Sequence, residues 1–266
     1  MRVGFIGAGR MGRPMVGRLL AAGHDVHAVG RTVEKCRQLE QLGARAVNAA
    51  AEAGADADVV VLCVFTDQQV RDVCLDSALL PSMRTGSALV VHTTANPDTI
   101  ETIAERADGV DVVDAAVSGG PHDIEAGRLT LFVGGADQAV DRVRPLLGCY
   151  GDPVLHVGPR GAGQKVKLVN NALFAAQIGL LAESIRLGER LGLPESTLLT
   201  ALQHGSATSR VLDLVAAGGS VASFVEVAGG FVGKDVAVVR GIAGERGGGL
   251  GALEHVIEKV DFAKRV

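Results

Sequence analysis

The stretch Gly7-Ala8-Gly9-Arg10-Met11-Gly12, close to the start of the chain, decides the fold. An apolar run at residues 3–6 precedes it, and a helical pattern follows it. A G-x-G-x-x-G motif predicts a dinucleotide-binding site when it lies between a strand and a helix, as it does here. Gly7 allows the tight turn, Gly9 lets the backbone approach a pyrophosphate, and Gly12 lets the helix pack on the strand. The N-terminus of the helix then offers its N–H groups to the phosphates. The alternative interpretation is a glycine-rich turn without a function.

The end of the next predicted strand, residues 25–29, indicates which nicotinamide cofactor the site prefers. In NAD-preferring sites an acidic side chain about 20 residues past the glycines binds the ribose 2′-hydroxyl. Here the strand is followed by Gly30, Arg31 and Thr32, without an Asp or Glu. A guanidinium group suits a 2′-phosphate, and the threonine hydroxyl adds a donor. We therefore expect NADP(H) to be preferred, with NAD(H) as the second choice; a solvated surface arginine is the other interpretation.

Composition narrows the class of partner. The chain has 266 residues and is 47% hydrophobic, which suits a globular protein large enough for two domains. Aromatic residues make up 3%, tryptophan is absent, and the net charge is −4, so a nucleic-acid partner is not expected. The four cysteines have no C-x-x-C spacing. We therefore expect free thiols in a reducing cytoplasm and no metal site.

No targeting or membrane segment is expected. The chain opens directly on a predicted strand, without a basic region followed by a long apolar stretch, so no signal peptide is evident. We expect no apolar run to approach the length of a membrane span, and therefore no membrane partner.

Strand-like and helical segments alternate up to about residue 159, which predicts βαβ units and a mostly parallel sheet. After the first two strands, further ones are predicted at residues 59–64, 88–91, 110–113, 130–133 and 154–157. The residues beyond 159 are predicted to be helical throughout. The fold class is therefore α/β, with a doubly wound Rossmann domain at 1–159 and an all-α substrate and oligomerisation domain at 160–266.

A long helix is expected from about residue 161 to 191, and its middle, residues 172–182, is almost wholly apolar. A helix that is apolar all round is buried, here between domains or between subunits. We therefore expect a homodimer or homotetramer with this helix near the interface. A helix packed wholly within one subunit is the alternative.

Two segments carry candidate chemistry. Ser118, Gly119 and Gly120 follow a predicted strand, and their open backbone N–H groups would make a small anion nest for a carboxylate. A simple Gly-Pro turn is the alternative. Further on, Lys167 and Asn171 are four residues apart and share one helix face. A helix N-terminus and burial both favour the neutral amine that proton transfer needs, whereas Lys165 lies on another face and is expected to be solvated.

A third segment, Lys234-Asp235-Val236, is predicted to open a helix and is weak on its own. Together the segments resemble the β-hydroxyacid dehydrogenase family, the 3-hydroxyisobutyrate dehydrogenase group. The family's G-x-G-x-M-G-x-x-M opening, D-x-P-V-S-G-G loop, G-x-G-x-x-x-K-x-x-N-N segment and K-D-L motif correspond to residues 7–15, 114–120, 161–171 and 234–236. The resemblance covers residues 2 to about 240. Ala116 stands in place of the usual proline, and His92 replaces a frequent aspartate.

The resemblance implies a role for each matching residue. Lys167 is the general acid/base with Asn171 as its companion, and Ser118, Gly119 and Gly120 hold the substrate carboxylate. The implied cofactor contacts are Gly7, Ala8, Gly9, Arg10, Met11, Gly12, Arg31, Thr32, Val64, Phe65, Thr94 and Lys234. The turn at residues 30–32 is similar to the Asn-Arg-Thr of NADPH-preferring semialdehyde reductases of this family.

The expected function is an NAD(P)-dependent oxidoreductase that interconverts a small β-hydroxy acid and its semialdehyde. An imine reductase is one alternative, because such enzymes share the architecture, but they usually lack the lysine that Lys167 matches. A nucleotide-binding module without turnover is the other alternative. The intact Lys167 and Asn171 pair favours the dehydrogenase.

Overall fold

The computed structural model describes residues 1–262 of the chain. Contacts divide the protein into an N-terminal and a C-terminal unit, with the boundary between Lys167 and Leu168. The sequence places the boundary between residues 159 and 160, which is where the long helix begins. The observed boundary lies inside that helix, because its first turn belongs to the N-terminal unit.

The N-terminal unit contains one eight-stranded sheet in the order β3-β2-β1-β4-β5-β6-β7-β8. Its strands β1 to β8 are Arg2–Ile6, Asp25–Val29, Arg45–Val47, Val59–Leu62, Ala88–Val91, Asp111–Ser118, Leu129–Gly134 and Gly151–Gly158. Neighbouring strands are parallel except β6 and β7, which are antiparallel. The strand order reverses direction between β1 and β4, and ligands of such sheets bind at the carboxyl ends of the strands at that point.

Helices cover both faces of the sheet. Those of the N-terminal unit, α1 to α8, are Gly12–Ala21, Val33–Leu42, Ala50–Gly54, Asp67–Cys74, Leu79–Ser82, Pro97–Arg106, Pro121–Glu125 and Asp137–Leu147. Strand β4 shows why two layers are needed. Val59 and Val61 belong to one hydrophobic cluster, whereas Val60 and Leu62 belong to the other. This strand is therefore buried on both faces, as its continuous apolar sequence predicts.

The C-terminal unit is helical over its described residues. Helix α9, Ala162–Arg190, begins in the N-terminal unit and is followed by α10 to α13, Glu195–Gln203, Arg210–Ala217, Val221–Glu245 and Ala252–Ile257. The prediction that Lys234 opens a helix is wrong, because it lies in the second half of α12. The glycine at 233 misleads here: a Cβ on Gly233 would lie 2.8 Å from the carbonyl oxygen of Phe262, so this glycine permits close packing inside a helix.

Helix α9 has nearly the bounds that the sequence predicts, and its length and apolar character bear on the expectation about membrane spans. Among the described residues it is the one single helix with the length and hydropathy of a membrane span, and α11 with α12 reach that only together across a bend of 111°. The prediction that no run approaches this length is therefore wrong for α9. Because 56% of its apolar window is buried inside the protein, α9 has the character of a core helix.

Candidate functional site

The glycine turn lies at the carboxyl end of β1 and has the shape that the motif predicts. Gly7 has a φ of +98°, which only glycine adopts readily, and a side chain there would overlap the Cys63 carbonyl oxygen. A Cβ on Gly12 would overlap the carbonyl oxygen of Gly7. A Cβ on Gly9 would meet nothing within 4 Å. The turn is therefore closed at its two outer glycines and open at the middle one.

The N-terminus of α1 behind this turn has the properties of an anion site. Within residues 1–262 no side chain caps it, and its first turn contains no acidic residue. An open groove of about 720 Å³ lies against it, lined among others by Arg10, Arg13 and Lys35. A helix N-terminus beside several cations suits phosphate oxygens. These residues therefore fit the pyrophosphate of a dinucleotide.

Arg31 and Thr32 stand just beyond the carboxyl end of β2, where the sequence places the selective contact with the ribose. Arg31 is exposed. Thr32 is the N-cap of α2, and its hydroxyl accepts a hydrogen bond of 3.2 Å from the Lys35 backbone N–H. The threonine thus has a structural task, and its hydroxyl hydrogen is still available to an incoming acceptor.

The carboxyl ends of β4 and β5 are joined by a threonine. The Thr93 hydroxyl accepts from the Val64 N–H at 2.9 Å and donates to the Val64 carbonyl oxygen at 3.0 Å. Thr94 next to it is buried, whereas Phe65 is half-exposed. The predicted cofactor contacts Val64 and Thr94 therefore lie on two strand ends that are fixed to each other.

The segment expected to hold a substrate carboxylate differs from its prediction. Residues 114–118 belong to β6 and do not follow it, and the open turn begins only at Gly119, whose φ is +128°. The Gly120 N–H donates to the Asp123 carboxylate at 2.8 Å. The prediction that this N–H is open is wrong, because a carboxylate of the protein itself already accepts from it.

His92, which departs from the family pattern, is a buried bridge. Its Nδ1 lies 2.6 Å from the Ala115 carbonyl oxygen and its Nε2 2.8 Å from the Tyr150 hydroxyl. Burial lowers the pKa of His92 to about 4, so the ring is neutral near pH 7. Because the carbonyl only accepts, Nδ1 donates to it and Nε2 accepts from the tyrosine. His92 therefore ties β5 to β6 and to the start of β8.

Lys167 and Asn171 lie four residues apart on α9, and both are buried, with 9% and 8% of their surface exposed. Lys165 is exposed, as predicted. Within the C-terminal unit, Asn171 Nδ2 donates to one carboxylate oxygen of Asp235, and the Lys234 ammonium lies 2.9 Å from the other. Asp235 therefore fixes both predicted functional side chains of this unit, a role that the Lys-Asp dipeptide alone does not reveal.

Two further residues escape sequence reasoning. Asp114 is fully buried and accepts from the backbone N–H groups of Gly161 and Gln164 at 2.6 and 2.8 Å. The Gln164 side chain is also fully buried and bonds to the backbone of residues 93 and 95. These contacts join segments about 50 and 70 residues apart in the chain, and no local pattern announces them. Within residues 1–262, His, Cys, Asp and Glu form no group of three or more placed to hold a metal ion.

Comparison with known proteins matches each of two regions of the chain to a protein family. The family described as the NAD binding domain of 6-phosphogluconate dehydrogenase matches residues 2–158. The family described as NAD-binding of NADP-dependent 3-hydroxyisobutyrate dehydrogenase matches residues 161–249. The two matches thus cover the Rossmann region and most of the helical region.

Individual relatives point the same way. The NAD-dependent L-serine dehydrogenase of Pseudomonas aeruginosa is 34% identical over 216 residues, which are 80% of this chain and 72% of that protein. The 3-hydroxyisobutyrate dehydrogenase of the same organism is 33% identical over 215 residues, with the same coverage. The structure of Mycobacterium tuberculosis 3-hydroxyisobutyrate dehydrogenase with L-serine superposes with a TM-score of 0.86 at 25% identity, covering 98% of this chain and 96% of that one. The chain belongs to the β-hydroxyacid dehydrogenase family, a group of NAD(P)-dependent oxidoreductases that act on hydroxy acids.

Proposed function

We propose that the protein is an NADP(H)-preferring dehydrogenase that interconverts a small β-hydroxy acid of the 3-hydroxyisobutyrate type and its semialdehyde. The observation that carries the proposal is the buried amine of Lys167, in a segment that matches the family's catalytic pattern at every motif position. The relatives are named for 3-hydroxyisobutyrate and L-serine. Both molecules carry a primary alcohol on the carbon next to the one that bears the carboxylate. That arrangement is the substrate class we propose.

The cofactor would be held mainly by backbone. The turn at residues 7–12 receives the pyrophosphate, and Arg31 with Thr32 receives the 2′-phosphate. By resemblance, Val64 and Phe65 border the adenosine ribose, while Thr94 and Lys234 contact the cofactor further along. When bound, the cofactor supplies the nicotinamide C4 that accepts or gives the hydride.

The side chains of this protein handle the proton and the carboxylate. In the oxidation direction the Lys167 amine takes the proton of the substrate hydroxyl as the hydride leaves the carbon that bears this hydroxyl. In the reduction direction the protonated amine returns a proton to the carbonyl oxygen. Asn171 orients the reacting groups by resemblance. Ser118 and Gly119 bind the carboxylate, and Gly120 joins them when Asp123 releases its N–H.

Replacing Lys167 with alanine tests the assignment. Turnover of 3-hydroxyisobutyrate with NADP⁺ should fall by about 10²–10⁴-fold, because the proton-transfer group is lost. Cofactor binding, followed by NADPH fluorescence, should stay nearly intact because the phosphate turn is untouched. Lys165→Ala is the matched control, two residues away and exposed. Equally mild effects of both substitutions would show that the assignment is wrong.

The cofactor preference depends on Arg31. One charge-assisted bidentate contact contributes about 1.5–3 kcal/mol, which is on the order of tenfold to a hundredfold in affinity. Arg31→Asp should therefore erase or reverse the preference for NADP(H), as measured by the two dissociation constants. The unmodified protein binding NAD⁺ and NADP⁺ equally would contradict the proposal.

Turnover of a cyclic imine separates this function from that of an imine reductase. By resemblance, imine reductases usually lack the lysine found at 167, so the protein should oxidise hydroxy acids and leave a cyclic imine unreduced. The opposite result would transfer the protein to the imine reductase class. Cofactor binding with turnover of neither compound would favour the binding module.

We further propose that a second copy of this chain covers one face of α9. Four aliphatic side chains on this helix, each between 47% and 67% exposed, are Val169, Leu173, Leu180 and Leu187. At 3.6 residues per turn they fall within about 40° of one another over about 27 Å. Because the three leucines are seven residues apart, two such faces interlock across a two-fold axis.

Sedimentation at low concentration tests the dimer. Leu180→Glu with Leu187→Glu should give a monomer, since charges would be buried in the apolar contact. Val227→Glu is the control, because Val227 is 64% exposed on another helix, α12. A stable, active monomer of the unmodified protein would contradict this proposal.

We place the enzyme in the reducing cytoplasm. All four cysteines are free thiols. Burial raises the pKa of Cys63 and of Cys74 to about 12, which keeps these two thiols protonated and unreactive. Cell fractionation would test the compartment.

A further inference from the structure

The first turn of α9 is fixed to the sheet by a carboxylate from another strand. Asp114 on β6 accepts from the N–H groups of Gly161 and Gln164, the residue before the helix and its third residue. These are two of the N–H groups that a helix start leaves without partners. The carboxylate acts as an N-cap supplied from 47 residues away in the sequence.

Small residues let the helix approach this carboxylate closely. A Cβ on Gly163 would lie 2.8 Å from Asp114 Oδ2 and would overlap the Phe132 carbonyl oxygen. A Cβ on Gly134 would collide with Asp114 Oδ1. The glycines at 134 and 163 thus leave the space that the carboxylate occupies. The start of the helix is closely packed against β6 and β7.

The Gln164 side chain forms a second anchor, to the segment that directly follows β5. Its Nε2 donates to the Thr93 carbonyl oxygen and its Oε1 accepts from the Ala95 N–H, both at 2.9 Å. The amide therefore spans the backbone on both sides of Thr94, the residue that resemblance places near the nicotinamide. Thr93 in turn holds Val64 through two hydrogen bonds. A fully buried amide whose donor and acceptor are both satisfied permits one arrangement.

We propose that Gln164 is a positioning residue for Lys167. Together with Asp114, it fixes the first turn of α9, in its own case to the backbone around Thr94. The amine one helical turn further on therefore stays at a constant place relative to the nicotinamide end of the cofactor site. The inference rests on the proposed function, because it takes Lys167 to be the proton-transfer group. A displacement of 1 Å in such a group is enough to cost about a hundredfold in rate.

The test compares Gln164→Leu with Gln177→Leu, the same change at a half-buried position of the same helix. With NADP⁺ and 3-hydroxyisobutyrate both saturating, Gln164→Leu should lose about 10–100-fold in kcat, because the amine is misplaced. The dissociation constant for NADPH should change by no more than about twofold, the scatter expected of independent sites. Gln164→Glu keeps the size and the acceptor for the Ala95 N–H, and in its protonated form the carboxyl group also donates to the Thr93 carbonyl oxygen, so its loss should be smaller.

A double-mutant cycle separates positioning from general loosening of the fold. If Gln164 acts through Lys167, Gln164→Leu should reduce the residual turnover of Lys167→Ala by no more than about twofold. If the losses in kcat of the two single variants multiplied in the double variant, the inference would be overturned. The same holds if Gln164→Leu had the kcat of Gln177→Leu. Should Gln164→Leu fail to fold, the same cycle is run with Gln164→Glu.

A second readout needs no substrate. Acetic anhydride labels each lysine at a rate set by its exposure and proton affinity, and Lys165 serves as the internal standard in the same helix. Gln164→Leu, which adds no charge, should raise the labelling of Lys167 relative to Lys165, whereas Gln177→Leu should not. Unchanged labelling overturns the positioning role. Normal turnover of Lys167→Ala instead refutes the proposed function, and the labelling result still decides the place of Gln164.

Discussion

Two helix N-termini in the N-terminal unit differ in whether side chains of the protein itself bind them. Helix α1 begins at Gly12 beside an open basic groove, and among the described residues no side chain caps it. Helix α9 begins at Ala162, where the buried Asp114 carboxylate accepts from the N–H groups of Gly161 and Gln164. The Gln164 side chain ties this first turn to the segment after β5. The same helix-end chemistry, unsatisfied N–H groups and a positive dipole end, is kept open in one helix and satisfied by the protein in the other.

The difference follows from what each helix has to do. In the proposed function, helix α1 receives the pyrophosphate of the cofactor, so its N-terminus has to remain accessible. Helix α9 carries Lys167, the proposed proton-transfer group, and such a group works best when its place is fixed before substrate arrives. A carboxylate of the protein itself achieves that fixation, but it has to be buried to do so.

The largest expected effect concerns the fixed N-terminus. Burial raises the pKa of Asp114 from 3.8 to about 6, so the folded protein binds this proton more tightly than the unfolded chain does. Its contribution to stability is therefore complete below about pH 4 and is lost as the pH rises through 6, about 3 kcal/mol in all. Urea unfolding between pH 4 and 8 should show this loss in the unmodified protein, and Asp114→Asn should flatten the curve.

Asp111→Asn is the control, because Asp111 lies on the same strand but is partly exposed and pairs with Arg142 at the surface. It should leave the pH dependence of unfolding nearly unchanged. If Asp114→Asn and the unmodified protein had the same pH dependence, the carboxylate would not carry the cost that this comparison assigns to it.

The next effect concerns the open N-terminus. Gly9 has free space around it, so Gly9→Val should fold normally but should place a side chain where the pyrophosphate lies. Overpacking of this kind costs about 1–3 kcal/mol, or about 5–150-fold in cofactor affinity. Gly241→Val is the control, because Gly241 lies in α12, is not among the residues that line the groove, and also has open space. Normal NADP⁺ binding by Gly9→Val would place the phosphates elsewhere.

The smallest effect concerns α2, whose N-terminus lies between the two cases because a local side chain caps it. Thr32→Ala removes the acceptor of the Lys35 N–H and should cost about 1 kcal/mol in stability, or about 2–4 °C in Tm. Thr102→Ala removes a hydroxyl that bonds only back to the Asp98 carbonyl oxygen inside α6, so it should not lower Tm. Equal effects of both changes would show that Thr32 is not a significant cap.

Local sequence is enough to predict the open N-terminus but not the fixed one. The spacing of Gly7, Gly9 and Gly12 specifies its own turn, and the strand and helix on either side have the right apolar patterns. The long helix is likewise predicted within one residue at each end, since no proline interrupts residues 161–191. Strand β3 escapes prediction because its three residues are too few to form a pattern.

The remaining features depend on residues far apart in the chain. Asp114 meets the start of α9 across 50 residues, and Gln164 meets Thr93 across 71. The Gly120 N–H is taken by Asp123, which a motif read as an open nest does not include. Lys234 lies inside α12, and the glycine before it, which reads locally as a helix start, packs closely against Phe262. In each case tertiary contact overrides the local signal.

Chemical rescue of Lys167→Ala tests the central claim most directly. If the Lys167 amine moves the substrate proton, small primary amines such as methylamine and ethylamine should restore turnover by entering the space that the substitution leaves. The restored rate should rise with the concentration of the unprotonated amine and should be absent with tetramethylammonium salts, which carry no transferable proton. Turnover of Lys167→Ala as fast as that of Lys165→Ala, with no response to any amine, would contradict the account.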